Sequence, residues 1–332
     1  MLHMKIPEVL WLSQEEVASL GLSMRSIIDA VDEGLKLKGE GKVELPAKIG
    51  VHARKDCYIH AMPCWVGGDI DVMGIKWAAG YPSNQAKGLP YINGIWCMND
   101  CETGLLKAIM DANWITAWRT GAASGVCARY MANPESEVIS IIGLGVQGRT
   151  NLLAMKEVLP KLKEVKIYDI FPEQVKRYEE ILSPQLPGVT FVPCKDVEAT
   201  VKNADVVITC APIVEKPERF VRSSWLKDDV LAIAVDYDSS LDADIMTGGV
   251  FVCDDRNQYL ETQSWSSYFH GGYPTSEQIY ADMGEICAGI KAPVTSGRRG
   301  AVLMGIASHD IMTGRLLYQM AVDKGAGTWL KI

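Results

Sequence analysis

The sequence lacks the motifs and long apolar runs that mark several large classes of protein. No C-x-x-C pair and no H-E-x-x-H occur in its 332 residues, so neither a metal site nor a redox dithiol is predicted. No Lys/Arg cluster is present, and the net charge of −8 disfavours a nucleic-acid partner. No apolar run reaches membrane-spanning length, and no basic segment followed by an apolar one opens the chain. The nine cysteines lie mostly in apolar segments, which favours reduced thiols in a cytoplasmic protein.

The spacing of apolar residues changes along the chain, and the chain length favours two domains. The first hundred or so residues mix helical and strand-like segments, and an alanine-rich helix is predicted from Met110 to Ala132. Short apolar strands then alternate with helices, which predicts a parallel sheet covered on both faces. The strands are "EVISIIG", "EVKIYD", "VTFVP", "DVVITCA", "VLAIAVD" and "GVFVCD". Residues 275–290 and 302–323 are predicted to be helical.

The stretch "IIGLGVQGRT" places Gly143, Gly145 and Gly148 in the spacing G-x-G-x-x-G, between a predicted strand and a predicted helix. Gly143 permits a tight turn, Gly145 lets a pyrophosphate approach the backbone, and Gly148 lets the helix pack close to the strand. Asp169 ends the next strand, where a carboxylate suits the ribose hydroxyls of NAD and repels the 2′-phosphate of NADP. The sequence therefore predicts NAD as the cofactor, with an empty doubly wound domain as the alternative.

Six stretches resemble the ornithine cyclodeaminase and mu-crystallin family over nearly the whole chain. They are "GIKWAAGYPSNQAKGLP", residues 99–132 with "RTGAASG", "IIGLGVQGR", "DADIM" after Asp238, "DMGEICAG" and "MGIASHD". The resemblance implies an α/β fold in which residues 121–305 form a Rossmann-type, doubly wound NAD-binding domain. It implies that residues 1–120 and the C-terminal helix, 306–332, form an α+β substrate-binding domain that also makes a homodimer. The remaining positions that match family contacts with the cofactor are Arg119, Thr120, Val146, Gln147, Thr209, Ala211, Val235, Met304 and Gly305.

An amino-acid substrate needs a cationic clamp for its carboxylate, and three residues match family positions for it: Lys48, Lys76 and Arg119. Lysines are usually solvated, and an arginine in a helix usually makes a surface ion pair. Lys76 and Arg119 lie amid apolar residues, where an unpaired charge is costly, and this favours function. At the position of Lys48 the family often has arginine, whose planar fork binds a carboxylate at two points as lysine does not.

Asp238 is the candidate acid/base, because it follows the strand "VLAIAVD" at the carboxyl edge of the predicted sheet. In the family, an aspartate here receives the amino group of the substrate and assists proton transfer. Asp236 is its rival, and either residue could instead cap the next segment. His60 matches a position where ornithine-acting members carry glutamate, and a neutral imidazole is a poorer partner for a second ammonium group.

The resemblance implies hydride transfer at C2 of an L-amino acid or its imine. Ornithine cyclodeaminase, which converts ornithine to proline and ammonia, is the first hypothesis. An alanine-type amino-acid dehydrogenase or a ketimine reductase is the alternative, because of Lys48 and His60. A non-catalytic store of small molecules, as in mu-crystallin, is a third possibility, which the presence of Asp238 and Lys76 disfavours.

Overall fold

The computed structural model describes residues 7–214, 216, 218–266 and 268–331, apart from the side chain of Gln85. The chain forms two compact units. The first contains the residues up to Arg119 and those from Ile306 onward, and the second is Thr120–Gly305. All nine cysteines are free thiols. Among the described residues, no helix combines the length and the apolar character needed to cross a membrane.

The first unit is built on one mixed sheet. With strands and helices numbered along the whole chain, its strands are β1 (Glu8–Leu12), β2 (Val43–Glu44), β3 (Ile49–Val51), β4 (Tyr58–Val66), β5 (Val72–Gly80), β6 (Ile92–Asn99), β7 (Leu106–Asp111) and β16 (Thr328–Lys331). Their order is β16-β1-β7-β6-β5-β4-β2, with β3 also paired to β4. In this sheet β1 and β7 pair in parallel, and the other pairs of described strands are antiparallel. The helices are α1 (Gln14–Ser19), α2 (Met24–Gly39), the first turns of α3 (Ala112–Met131), α10 (Ala307–Lys324) and the 3-10 helix Pro82–Lys87.

Alternation along the strands gives this sheet two different faces. One face carries an aligned row across four strands, consisting of Met62, Lys76, Trp96 and Met110. Helix α10 packs against β4, β5 and β6 on this face. It approaches closely because Gly314 has no side chain, since a Cβ there would lie 2.2 Å from the Trp96 ring. Lys76 is thus the one charged member of a buried row beneath a helix.

The opposite face of the same sheet is largely apolar and partly exposed. The row Pro63, Ile75, Cys97 and Ile109 lies next to the row Ala61, Trp77, Ile95 and Asp111. Trp77 is 46% exposed and Ile95 39% exposed, which is unusual for large apolar side chains on adjacent strands.

The second unit is a parallel sheet of eight strands. They are β8 (Val138–Ile142), β9 (Glu164–Tyr168), β10 (Thr190–Pro193), β11 (Val206–Thr209), β12 (Val230–Ala234), β13 (Val250–Cys253), β14 (Ile279–Asp282) and β15 (Arg298–Val302). Their order is β10-β9-β8-β11-β12-β15-β13-β14, and every pair is parallel. The helices are α4 (Val146–Val158), α5 (Pro172–Leu182), α6 (Val197–Val201), α7 (Ala243–Thr247), α8 (Arg256–Trp265), α9 (Met283–Cys287) and the rest of α3. Strand order reverses between β8 and β11, which confirms the doubly wound fold and places a ligand crevice at their carboxyl ends.

Two helix predictions were wrong in part. Within 275–290, residues Ile279–Asp282 form strand β14, and Val302 ends strand β15 before α10 begins at Ala307. Both strands are short and almost fully buried, so the two-residue alternation that distinguishes a strand from a helix is absent from their sequences.

Candidate functional site

The glycine turn in the second unit fits a dinucleotide phosphate. Gly143 has φ +88°, and a Cβ there would lie 2.6 Å from the carbonyl oxygen of Cys210. At Gly148 a Cβ would lie 2.3 Å from the carbonyl oxygen of Gly143. At Gly145, by contrast, no described atom lies within 4 Å of the Cβ position. Gly145 is also the N-cap of α4 and has no side-chain cap, so the first N–H groups of α4 are available to an anion.

Asp169 fixes this turn from the neighbouring strand. Its Oδ2 accepts the N–H of Leu144 at 2.8 Å, and its Oδ1 accepts the N–H of Phe171 at 3.0 Å. The side chain remains partly exposed. A carboxylate that orders the turn can still accept ribose hydroxyls with its other lone pairs, so the ribose contact stays a prediction.

Asp236 joins the ends of β11 and β12. It accepts the hydroxyl of Thr209 at 2.7 Å, the N–H of Ala211 at 2.9 Å and the hydroxyl of Ser240 at 2.6 Å. Burial raises the pKa of Asp236, and these hydrogen bonds oppose the shift. Asp236 therefore holds the segment that was predicted to lie near the cofactor, and this arrangement favours a positioning role over proton transfer. Val235 extends the link, since its N–H donates to the carbonyl oxygen of Thr209 at 3.0 Å.

Asp238 is fully buried and bonded to an arginine that sequence reasoning missed. Arg219 donates from Nε to Oδ1 at 2.5 Å and from Nη2 to Oδ2 at 2.7 Å. The N–H of His270 also donates to Oδ2, at 2.7 Å. Arg219 lies over the ring of Tyr273 and has a φ of +43°, a region where non-glycine residues are uncommon. As a general base, Asp238 would have to exchange at least one of these donors for a substrate.

The segment Met304–Gly305 is held by two further residues that were not predicted. Asp254 accepts the N–H of Gly305 at 2.5 Å, and Gln258 donates its amide to the Gly305 carbonyl oxygen at 3.1 Å. Gly305 has φ +75°, which explains the glycine there. Of the other predicted cofactor positions, Thr120 is buried on α3, and Val146 and Gln147 begin α4.

The first unit brings together the two best clamp candidates. Lys76 and Arg119 both donate to the same oxygen of Asp310, at 2.8 Å from Lys76 Nζ and 2.9 Å from Arg119 Nε. All three side chains are buried. Burial and the charge of Arg119 lower the pKa of Lys76 to about 7, although Asp310 opposes this shift. Arg119 and Lys76 hold the pKa of Asp310 below its usual value in spite of burial. The cluster carries two cations for one carboxylate, which suits a bound carboxylate.

Lys48 and His60 both interact electrostatically with Lys76 of this cluster. Lys48 is 8% exposed. Burial, followed by the charge of Lys48, lowers the pKa of His60 to about 3, and His52 and Lys76 act in the same direction. The His60 ring, stacked on Tyr58, is therefore neutral at pH 7 in an electropositive environment. Among the described residues, no group of three or more His, Cys, Asp or Glu could hold a metal ion.

Residues 8–325 match the ornithine cyclodeaminase/mu-crystallin family, and the chain belongs to that family. It is 33% identical over 326 residues to the nodulation efficiency protein NfeD of Rhizobium meliloti, covering 97% of this chain and 98% of the relative. Among solved structures, it is similar to the Δ1-pyrroline-2-carboxylate reductase of Thermococcus litoralis in complex with NADH and L-proline, at TM-score 0.85 and 28% identity, covering 96% and 99%. It is also similar to an archaeal alanine dehydrogenase dimer with bound NAD, at TM-score 0.86 and 30% identity, covering 98% and 100%.

The glycine turn gives the first testable prediction, a contrast between two substitutions. Gly145→Val should leave thermal stability nearly unchanged, because there is open space around Gly145, but should weaken NADH binding by about tenfold or more. Gly148→Val should lower the melting temperature, because its side chain meets the Gly143 backbone. Fluorescence titration with NADH and thermal unfolding measure the two effects. NADH binding by Gly145→Val equal to that of the wild type would contradict the assignment of the turn.

Proposed function

We propose that this protein is an NAD-dependent enzyme that acts at C2 of an amino acid or its imine. The observation that carries the proposal is the buried pair Lys76 and Arg119, which leaves one positive charge after Asp310 is counted whenever Lys76 is protonated. Family members include NAD-dependent dehydrogenases, reductases and cyclodeaminases of amino acids and imines. The open space at Gly145 and the uncapped start of α4 support NAD binding by the second unit.

The residues divide the chemistry between recognition and proton transfer. Bound NAD(H) supplies or accepts the hydride at C2. Lys76 and Arg119 neutralise the carboxylate of the substrate and fix the orientation of C2. Asp238 is the proposed group that exchanges a proton with the substrate nitrogen, and Arg219 fixes the position of its carboxylate through two hydrogen bonds.

The surroundings of His60 favour a substrate without a second ammonium group. In the family resemblance, the residue at this position faces the substrate side chain. Here the ring is neutral, and the charges of Lys48, His52 and Lys76 all oppose its protonation. A second cation would meet the same repulsion. We therefore place an amino-acid dehydrogenase or imine reductase first, and ornithine cyclodeaminase, favoured by the family match over nearly the whole chain, second.

A substrate panel tests the activity directly. With NAD, L-alanine or a similar neutral amino acid should give net NADH, or cyclic imine carboxylates should oxidise NADH. L-Ornithine should give neither proline nor ammonia, because the charges of Lys48, His52 and Lys76 that oppose protonation of His60 would also repel its second ammonium group. Absorbance of NADH and chromatography of amino acids are the measurements. Proline and ammonia from ornithine without net NADH would show a cyclodeaminase, and NADH binding without any turnover would show a non-catalytic binding protein.

The role of Asp238 is tested by Asp238→Asn, which keeps the shape of the side chain but cannot take up a proton. Turnover should fall by about a hundredfold or more, while NADH binding stays near the wild-type value. Asp242→Asn is the control, because Asp242 lies on the same loop and pairs with the more exposed Arg222. If Asp238→Asn turns over at the wild-type rate, the proton must be exchanged elsewhere.

We further propose that the apolar face of the first sheet, centred on Trp77 and Ile95, binds a second copy of the chain in a cytoplasmic homodimer. The 46% exposure of Trp77 and the dimeric archaeal alanine dehydrogenase support the interface. The nine free thiols support the cytoplasmic location. Trp77→Lys should give the mass of one chain in sedimentation equilibrium, where the wild type gives twice that mass. Trp265→Lys, which changes a similarly exposed tryptophan in the second unit, should leave the mass unchanged. A dimeric Trp77→Lys would contradict this interface.

A further inference from the structure

Asp310 links three elements of the first unit through one oxygen atom. Its Oδ1 accepts Lys76 Nζ from strand β5 and Arg119 Nε from helix α3, while Asp310 itself lies in the first turn of α10. The close packing of α10 at Gly314 fixes the height of this carboxylate above the sheet. Neither cation can turn away without breaking a buried charge-assisted hydrogen bond.

The contact with Asp310 determines which edge of the Arg119 guanidinium remains available. Arg119 uses Nε for Asp310, and its two terminal nitrogens donate to no described residue. Those two nitrogens form the planar fork that binds a carboxylate at two points. An ion pair that used the fork itself would leave only Nε for a ligand.

The same carboxylate favours the charged form of Lys76. Burial, Arg119 and Lys48 all lower the pKa of Lys76, and only Asp310 raises it. Lys76 also interacts electrostatically with His60 on β4 and His309 on α10. Burial keeps both imidazoles neutral, with pKa values of about 3. Without Asp310, Lys76 would lose its proton at a lower pH and could no longer attract an anion.

The cluster is poorly arranged for stability alone. Asp310 Oδ2 is buried and accepts no hydrogen bond from any described group. A carboxylate selected to stabilise a core normally has both oxygens satisfied, and buried ion pairs are weak sources of stability. The geometry is better explained by what Asp310 does to its two partners.

We propose that Asp310 is the positioning residue of the substrate-carboxylate site, aiming the terminal fork of Arg119 and holding the Lys76 ammonium beside it. This inference rests on the proposed function, because it concerns the same clamp. It assigns a role to a residue that acts through Lys76 and Arg119.

Two substitutions separate the charge of Asp310 from its position. Asp310→Asn removes the charge, so KM for the substrate found in the panel should rise about tenfold or more with a smaller change in kcat. We expect kcat/KM of the wild type to fall above about pH 7 as Lys76 loses its proton. In Asp310→Asn this fall should move to lower pH, because the group that raises the pKa of Lys76 is gone. Asp310→Glu keeps the charge but displaces it, so KM should rise while the alkaline fall stays in place.

The controls keep folding and function apart. Asp323 lies at an exposed position on the same helix, so Asp323→Asn should have the KM and the pH profile of the wild type. NADH affinity and melting temperature report whether each variant folds. If Asp310→Asn does not fold, Asp310→Glu is used to test the inference. An unchanged KM and pH profile in a folded Asp310→Asn variant would overturn the inference about Asp310. An equal loss of kcat and NADH binding would overturn it as well. Neither result would contradict the binding of the substrate carboxylate by Lys76 and Arg119. If Lys76→Met and Arg119→Lys also leave KM unchanged, the proposed function itself fails.

Discussion

One buried carboxylate, that of Asp310, determines how the first unit presents positive charge. Burying Lys76 and Arg119 in an apolar environment is unfavourable unless an anion compensates, and Asp310 compensates only one of the two charges. The sheet alternation that buries Lys76 and the glycine that lets α10 approach both serve this contact. In the proposed function, the remaining positive charge binds the carboxylate of the substrate, and the neutral His60 nearby disfavours a second ammonium group on it.

In the second unit, aspartates at or after the ends of strands fix the loops of the predicted cofactor site. Asp169 holds the glycine turn, Asp236 holds the segment after β11, and Asp254 holds Gly305, each by accepting backbone N–H groups. Polar loops at the carboxyl edge of a parallel sheet need such acceptors, because the sheet no longer pairs their backbone. Asp238 differs from them, because its principal partner is the side chain of Arg219. This difference supports a role for Asp238 other than loop ordering.

Local patterns in the sequence predicted much of this arrangement, and long-range contacts account for the rest. The spacing of Gly143, Gly145 and Gly148 located the turn, because their steric roles are local. The apolar surroundings of Lys76 and Arg119 marked both as buried. Asp310 lay in the quoted stretch "MGIASHD" but was not singled out, because its partner Lys76 is 234 residues away along the chain. Arg219 was missed because no periodic pattern surrounds it.

The most direct test of the account is the number of protons taken up when a carboxylate binds. Calorimetric titration of the NADH-bound protein with pyruvate and with L-proline, at about pH 8 in buffers of different ionisation enthalpy, measures this number. Because the pKa of Lys76 is about 7 before binding, an arriving carboxylate should raise it and draw up to about one proton from the buffer. Lys76→Arg should bind with no such uptake, since arginine is already charged. Carboxylate binding without proton uptake by the wild type, or no binding of either ligand, would contradict the account.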